Sequence, residues 1–395
     1  MKRTILLLVA AFSLLAVPLA AAEAKPNTLT SKEAGDGWIL LFDGETLFGW
    51  APRGETQWAV ADGVIVHRPD SGRGMLSTTT EWADYELKAD FWIDAKANSG
   101  VFLRCPTAGD ITALNAYEVN IYDPHAKWPT GSINEIARTS GQPKSVGQWN
   151  SYHLTAEGDH LTVRLNGQTV VDVHDNKHVR GTIALQQYDG HGEVRFRNLK
   201  LRPLGLKSIF NGKDLSGWTV LPERKSVFSV TPEGWLNVKN GNGDIQTETA
   251  YGDFVFQLDI ISNGDHLNSG VFFRAEAGQF WSGYESQIRN QWEGDDRTRP
   301  VDFGTGGIYN RQPARRVVSS DREWFTKTIA AHGTHMAVWI NGVQVSDYAD
   351  TRAPNESARR GARTKPGVLS LQGHDPTTDL SFRNLRVSEL PPAQP

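Results

Sequence analysis

The heptapeptide NSGVFLR (Asn98–Arg104) returns 170 positions later as NSGVFFR (Asn268–Arg274). The repeat is not isolated, because further stretches match in the same order along the two halves of the chain. The main pairs are LFDGETLFGW (41–50) with IFNGKDLSGW (209–218), YEVNI (117–121) with YESQI (284–288), TGSI (130–133) with TGGI (305–308), and VRFRNLKL (194–201) with LSFRNLRV (380–387). The sequence therefore predicts a duplicated domain, with one copy at residues 25–204 and the other at 205–395.

Each copy has the pattern of a β domain. The stretches YELKADFWI (85–93) and FVFQLDII (254–261) alternate apolar with polar residues, as strands with one buried face do. Asn166-Gly167 and Asn341-Gly342 have the composition of two-residue hairpin turns. No long segment shows the 3.6-residue periodicity of a helix. These features predict an all-β protein made of two tandem jelly-roll β-sandwiches.

The first 24 residues have the composition of a secretory signal. Lys2 and Arg3 precede a short apolar run, which ends in the small-residue stretch Ala22-Glu23-Ala24. We expect cleavage after this stretch, no membrane span in the mature chain, and a periplasmic or secreted protein. An uncleaved membrane anchor is the alternative, although the apolar run is short for one.

Charge and cysteine content restrict the possible partners. A formal net charge of −4 without a lysine-arginine block argues against nucleic acid. Cys105 is the single cysteine, so neither an intrachain disulfide nor a sulfur-ligated metal site is expected. The 13 tryptophans and 38 glycines suit an exported protein that binds a sugar, although most tryptophans are better explained as core residues. The sequence does not indicate an oligomeric state.

Strand alternation divides the heptapeptide between two faces of a sheet. Val271 and Phe273 are expected in the core, so Arg274 is expected to face outward. On the next strand, the same alternation places Glu285 and Gln287 outward. The corresponding outward residues of the first copy are Arg104, Glu118 and Asn120. Each domain is thus predicted to present an arginine, a glutamate and an amide side by side; an ion pair without function is the simpler alternative.

Together these motifs resemble the 3-keto-disaccharide hydrolase domain family, whose fold is similar to that of concanavalin-like lectins and glucanases. The resemblance covers both copies and is particularly close in the second. It implies an exported enzyme that cleaves 3-keto-disaccharides or 3-keto-glycosides. A ketone at C3 acidifies the C2 hydrogen, so a base can remove it and the C1 substituent can leave before water adds; direct hydrolysis is the other route.

The residues expected to act in this chemistry are assigned from strand geometry. Glu285 is the candidate base, and Arg274 is the candidate partner of the enolate oxygen. Further sugar contacts are expected from Gln287, Asn268, Tyr309 and His374 in the second copy and from Arg104, Glu118 and Asn120 in the first. The sequence indicates no cofactor with certainty. A divalent ion (Ca²⁺, Mn²⁺ or Zn²⁺) could replace the arginine, with Asp302 and Asp375 as ligands, although solvated loop carboxylates are the simpler explanation.

The two copies differ in the length of their loops. The interval from Tyr117 to Gly131 is 14 positions, whereas the interval from Tyr284 to Gly306 is 22. The interval between the hairpin glycine and the later strand glycine grows from 14 to 25 positions. Because binding groups concentrate on loops over a rigid sheet, we expect the main activity in the second copy. The first copy is then expected to be degenerate or to bind sugar without cleaving it.

Two other functions remain open at this stage. A non-catalytic, lectin-like carbohydrate-binding protein is the leading alternative, because the fold does not entail hydrolysis. A glucanase would use two carboxylates about 5 to 10 Å apart. The outward face of YESQI offers only Glu285, which counts against a glucanase.

Overall fold

The computed structural model describes residues 25–68 and 70–392. The expected signal segment, residues 1–24, lies outside the described residues. Within the described ranges, the chain contains one short helix, α1 (Ser31–Gly35), and two consecutive groups of antiparallel strands. The prediction of an all-β fold is therefore confirmed. In the same ranges, no helix is both long and apolar enough to cross a bilayer.

The first domain is a sandwich of two sheets. Its strands are β1 (Ile39–Leu40), β2 (Trp50–Gly54), β3 (Trp58–Ala61), β4 (Val64–His67), β5 (Gly74–Thr78), β6 (Tyr85–Ile93), β7 (Ser99–Cys105), β8 (Tyr117–Ile121), β9 (Trp149–Glu157), β10 (His160–Leu165), β11 (Gln168–His174), β12 (Thr182–Gln187) and β13 (Val194–Pro203). The larger sheet has the order β11-β10-β9-β6-β13-β4-β3, with β1 beside β13. The smaller sheet has the order β2-β5-β12-β7-β8.

The second domain repeats this topology. Its strands are β14 (Lys207–Ser208), β15 (Trp218–Val220), β16 (Val227–Val230), β17 (Leu236–Lys239), β18 (Gly243–Tyr251), β19 (Phe254–Ser262), β20 (Ser269–Ala275), β21 (Tyr284–Ile288), β22 (Phe325–His332), β23 (His335–Ile340), β24 (Val343–Ala349), β25 (Gly367–Gly373) and β26 (Asp379–Glu389). The larger sheet has the order β16-β17-β26-β19-β22-β23-β24, with β14 beside β26, and the smaller sheet has the order β15-β18-β25-β20-β21. Each heptapeptide thus lies in a five-stranded sheet.

The cores follow the alternation in the sequence. Along β6, every second residue from Tyr85 to Ile93 is buried, and the residues between them are only partly buried. Val271 and Phe273 lie in the apolar core of the second sandwich, as predicted. Burying side chains of this size stabilises a fold by about 1.5 to 3 kcal/mol each, so the alternating pattern fixes which face of each strand is internal.

The two sandwiches share part of one apolar core. Trp339 of the second domain is 1% exposed and belongs to the same cluster as the core of the first domain. Its ring centroid lies 5.5 Å from that of Trp82, and its indole nitrogen donates to the Leu40 carbonyl at 3.0 Å. Arg180 and Asp253 form an ion pair of 2.9 Å across the same boundary. The two domains therefore form a continuous unit rather than independent modules on a linker.

Candidate functional site

A cleft of about 210 Å³ opens on the five-stranded sheet of the second domain. Five of the residues that line this cleft were predicted from the sequence to contact or act on a sugar: Asn268, Glu285, Gln287, Tyr309 and His374. They come from β21, from the residue before β20, and from two loops. The duplicated motifs therefore converge on one surface of the second domain, which we call the second cleft.

The Glu285 side chain lies across Gly270 of the neighbouring strand. The register of β20 and β21 places Gly270 opposite Gln287 and Phe272 opposite Glu285. A Cβ atom added at Gly270 would be 2.6 Å from Glu285 Oε1 and 2.7 Å from its Cγ. The space that this glycine leaves is therefore occupied by the carboxylate of Glu285, which is 3% exposed.

Arg359 is the cation that pairs with Glu285, and the sequence reasoning missed it. Its Nη2 donates to Glu285 Oε2 at 3.1 Å. The guanidinium carbon lies 4.2 Å from the Trp281 ring centroid and 5.3 Å from that of Phe272. Arg359 belongs to the connection between β24 and β25, which is longer than its counterpart in the first domain. This longer connection thus delivers a positive charge to the sheet.

The environment of Glu285 combines burial with positive charge. Burial raises the pKa of its carboxyl group, while attraction and hydrogen bonding from Arg359, and attraction from His374, partly counteract the rise. Burial weakens the solvation of the carboxylate, whereas Arg359 stabilises its ionised form. Both effects are typical of a carboxylate that exchanges a proton in a reaction.

Two amides beside Glu285 are ordered by Asp302. Its Oδ2 accepts hydrogen bonds from Asn268 Nδ2 and Gln287 Nε2, each at 3.0 Å. Asn268 Oδ1 and Gln372 Oε1 are buried and have no hydrogen-bond partner among the described residues. Since buried acceptors normally find a donor, these two oxygens suit a ligand rich in hydroxyl groups.

The predicted metal ligands have other roles in the structure. Asp302 binds the two amides, and Asp375 Oδ2 lies 3.0 Å from His374 Nδ1. Within residues 25–68 and 70–392, no three His, Cys, Asp or Glu side chains come together as a metal-binding group would. The candidate divalent-metal site at Asp302 and Asp375 is therefore not supported, because each carboxylate is engaged separately.

The outward placement predicted for Arg274 is wrong. The residue has φ = 49°, and the pairing of β20 with β25 shifts register between Phe272 and Ala275. Such a bulge turns the next side chain away from the face that strict alternation assigns to it. The Arg274 side chain is 0% exposed and lies outside the second cleft. It donates to the carbonyls of Gly252, Gly333 and Arg363 and to Asp253 Oδ1.

Arg104 is buried in the same way, so the outward placement predicted for it is also wrong. Its φ is 53°, and its side chain is 0% exposed. The guanidinium donates to the carbonyls of Ala83, Gly158 and His178 and to Asp84 Oδ1. The arginine of each heptapeptide therefore ties the bulge to neighbouring loops and does not face a ligand.

The first domain has a cleft of about 640 Å³ on its corresponding sheet, which we call the first cleft. Glu118 and Asn120 line it, so the outward placement predicted for these two residues is confirmed. Burial raises the pKa of Glu118 to about 7, and a hydrogen bond from the Asn134 side chain opposes part of this rise. In the described part of the chain, no cation pairs with Glu118.

A family model provides the comparison that identifies this chain. The model for the 3-keto-alpha-glucoside-1,2-lyase-like domain matches residues 37–202 and again residues 205–388. The chain belongs to this family. Its two 3-keto-alpha-glucoside-1,2-lyase-like domains are the two sandwiches described above, and they carry the first and second clefts.

A relative with a named function is distant in sequence from this lyase-like chain. A curated relative, the 3-keto-disaccharide hydrolase of Bacteroides thetaiotaomicron, is 22% identical over 186 residues. That alignment covers 38% of this chain and 63% of the relative, so the chain spans less than two thirds of the relative's length.

Solved structures with similarity to the lyase-like chain each cover less than half of it. A putative glycosyl hydrolase from Parabacteroides distasonis is 22% identical, with a TM-score of 0.40, covering 46% of this chain and 100% of that one. A carbohydrate-binding module from Bacillus subtilis is 24% identical, with a TM-score of 0.32, covering 38% of this chain and 94% of that one.

The sequence gives only a weak signal for two residues that line or cover the second cleft. Trp281 and Arg359 both lie outside the duplicated motifs. The available signal was the arginine-rich stretch SARRGAR (357–363) inside an unusually long connection. That stretch indicates that the loop has a functional role, but it does not indicate which strand the loop covers.

Proposed function

We propose that this protein cleaves 3-keto-disaccharides or related 3-keto-glycosides. The observation that carries the proposal is the second cleft itself. There, in a 3-keto-alpha-glucoside-1,2-lyase-like domain, a buried carboxylate, its paired guanidinium and orphaned amide oxygens meet. A sugar-binding protein needs only the hydroxyl-binding groups. The buried carboxylate of Glu285 is the feature that favours catalysis over binding alone, and Arg359 beside it adds a partner for developing negative charge.

The residues of the second cleft divide the reaction between them. Glu285 accepts the C2 proton, which the C3 ketone has made acidic. Arg359 replaces Arg274 as the partner of the enolate oxygen, because its guanidinium already lies beside the Glu285 carboxylate. The C1 substituent then leaves, and water adds to the resulting double bond. Direct hydrolysis of the same glycosidic bond is the alternative route.

The size of the second cleft agrees with binding of one ring. Its volume of about 210 Å³ is below the roughly 300 to 1,000 Å³ of sites that enclose a whole small ligand. All the reacting atoms, C1, C2 and C3, belong to the oxidised ring. We therefore place that ring in the cleft and the leaving sugar outside it. Trp281, which is 43% exposed, offers an apolar face at the rim.

We also propose that the protein acts in the periplasm or outside the cell. The charged start, short apolar run and small residues of the first 24 positions support export. Amino-terminal sequencing of the protein purified from its own cells tests this. We expect the mature chain to begin near Lys25, and a chain retaining Met1 would count against export by this route.

The test of the reaction compares oxidised and ordinary sugars. The mature chain, incubated with a 3-keto-disaccharide or its unoxidised parent, should release monosaccharide only from the keto compound. In deuterated water, elimination followed by hydration places deuterium at C2 of the product, whereas direct hydrolysis does not. Saturable binding of the keto sugar without any product would instead support the lectin-like alternative.

Replacing Gly270 with Ala should lower turnover in the second cleft. The new Cβ would overlap the Glu285 side chain, which must move away from its position over the strand. The change is best measured in a chain carrying Glu118→Gln, so that the other outward carboxylate does not contribute. Gly252→Ala is the matched control, because its Cβ would meet only Pro366 Cγ, at 3.4 Å. Equal turnover in the two variants would show that the position of Glu285 over Gly270 is unimportant.

A further inference from the structure

The first cleft is large enough to enclose a ligand that the second cleft cannot. Its volume of about 640 Å³ falls within the roughly 300 to 1,000 Å³ typical of small-molecule sites. Phe102 and Met75 provide apolar surface, and Tyr188, which is 53% exposed, offers an aromatic face to solvent. Apolar and aromatic surface beside a few polar groups is the usual lining of such a site.

Glu118 occupies the same place in the first cleft as Glu285 does in the second. It lies opposite Phe102 in the pairing of β7 with β8, just as Glu285 lies opposite Phe272. The connection between β11 and β12 covers only residues 175–181, whereas the connection that carries Arg359 covers 350–366. The shorter connection supplies no arginine to Glu118. This carboxylate is 8% exposed and has no cationic partner among the described residues.

The polar groups around Glu118 suit a sugar. Asn134 Oδ1 and Gln186 Oε1 are buried beside the cleft and have no hydrogen-bond partner in the described chain. They can accept from sugar hydroxyls, as can the unpaired amide oxygens of the second cleft. His125 Nδ1 accepts from the Trp128 backbone N–H at 2.8 Å. Its proton is therefore on Nε2, which makes this residue of the cleft a hydrogen-bond donor.

We propose that the first domain is a second catalytic centre, which takes whole 3-keto-disaccharides or longer 3-keto-glycosides and uses Glu118 to accept the C2 proton. The inference rests on the proposed function and reverses the expectation that the first copy is degenerate or only binds sugar. As the C2–H bond breaks, its electron pair forms the enolate and then the C1=C2 double bond. The C1–O bond breaks, and the departing oxygen takes the proton from Glu118. Carbon oxidation levels balance within the sugar, and no oxidant or reductant is needed.

The missing cation should give the first cleft its own pH dependence. Burial raises the pKa of Glu118 to about 7. The other titratable or charged groups lining this cleft are Arg53, Glu55, Arg73, Asp110, His125 and Tyr188. Since the base must be ionised, turnover at this centre should rise as the pH increases through about 7.

The same carboxylate should lower stability at high pH. The pKa of Glu118 is 4.5 when the side chain is free in water and about 7 in the folded protein. Folding is therefore most favoured while Glu118 is protonated. This stability is lost as the pH rises from 4.5 to about 7. Glu118→Gln should therefore raise the melting temperature at about pH 8 and leave it nearly unchanged near pH 4. The exposed Glu157→Gln is the control, and it should show no such pH-dependent gain.

The experiment compares four full-length proteins on a 3-keto-disaccharide: wild type, Glu118→Gln, Glu285→Gln and the double variant. We expect Glu285→Gln to keep activity that rises through about pH 7, and the double variant to be about 10²- to 10⁴-fold slower than Glu285→Gln. Turnover of a longer 3-keto-glycoside should fall further in the Glu118→Gln protein than in the Glu285→Gln protein.

The outcomes separate this inference from the proposed function. Activity that disappears with Glu285→Gln alone would overturn the first catalytic centre and leave the proposed function standing. A double variant as active as Glu285→Gln would exclude Glu118 as the base. An inactive wild type would overturn the proposed function, and this inference with it. The melting temperatures, measured on the same proteins, show whether any loss of activity comes from unfolding.

Discussion

In a chain that already carries Glu118→Gln, the further change Glu285→Gln should lower turnover of a 3-keto-disaccharide by about 10²- to 10⁴-fold. Glutamine keeps the shape of the side chain but cannot accept a proton from C2. The Glu118→Gln background restricts the measurement to the second cleft. Binding of the keto sugar should persist, because the amide oxygens of Asn268 and Gln372 are untouched. The expected effect is therefore on kcat much more than on binding.

Folding must be measured beside turnover for this variant. Glu285 is buried and packed over Gly270, so a change of shape there could act through structure. Glutamine fills the same space, and we expect a melting temperature close to that of the background protein. Unchanged turnover would exclude Glu285 as the base. If the variant were inactive because it is unfolded, the role of Glu285 would instead be to stabilise the sheet.

The fold could be predicted because its signals are local and repeated. Val271 and Phe273 alternate with outward residues, and a period of two fixes the buried face wherever a sandwich has one core. The duplication doubled the evidence, since each motif was seen in two copies. The convergence of Glu285 and Gln287 on one face follows from the same periodicity.

The rest of the site could not be predicted because it depends on local exceptions and distant contacts. The bulge at Arg274 breaks the alternation, and nothing in the heptapeptide marks it. Arg359 meets Glu285 from 74 positions away, and strand periodicity contains no information about such a contact.

Loop length distinguished the two domains in the sequence, but it did not indicate which cleft would be larger. The connection between β24 and β25 is indeed longer, and it carries Arg359 to the cleft. A guanidinium packed on Trp281 covers the sheet around Glu285. The second cleft is the smaller of the two, at about 210 Å³ against about 640 Å³. The added loop contributes a functional group and also takes up space.

Replacing Arg274 with Ala should destabilise the protein by about 3 to 5 kcal/mol, because it removes a fully buried side chain and the hydrogen bonds that its guanidinium donates. Its guanidinium is 0% exposed and satisfies Asp253 and three backbone carbonyls. The substitution leaves the three carbonyls without this donor and opens a cavity where the side chain was, while Asp253 keeps its ion pair with Arg180. For a domain of this size, each kcal/mol corresponds to a fall of about 2 to 4 °C in melting temperature.

Arg359→Ala is the matched control for Arg274→Ala, because it also removes an arginine paired with a carboxylate in the same domain. Its side chain is 21% exposed, and Glu285 can respond to the loss by taking up a proton. We therefore expect a smaller fall in melting temperature but a large loss of turnover in the Glu118→Gln background. Thermal melts and turnover assays on both variants decide the assignment. If Arg274→Ala melted like the parent protein and Arg359→Ala stayed fully active, Arg274 would have the outward role that strand alternation assigned to it, and Arg359 would have no part in the reaction.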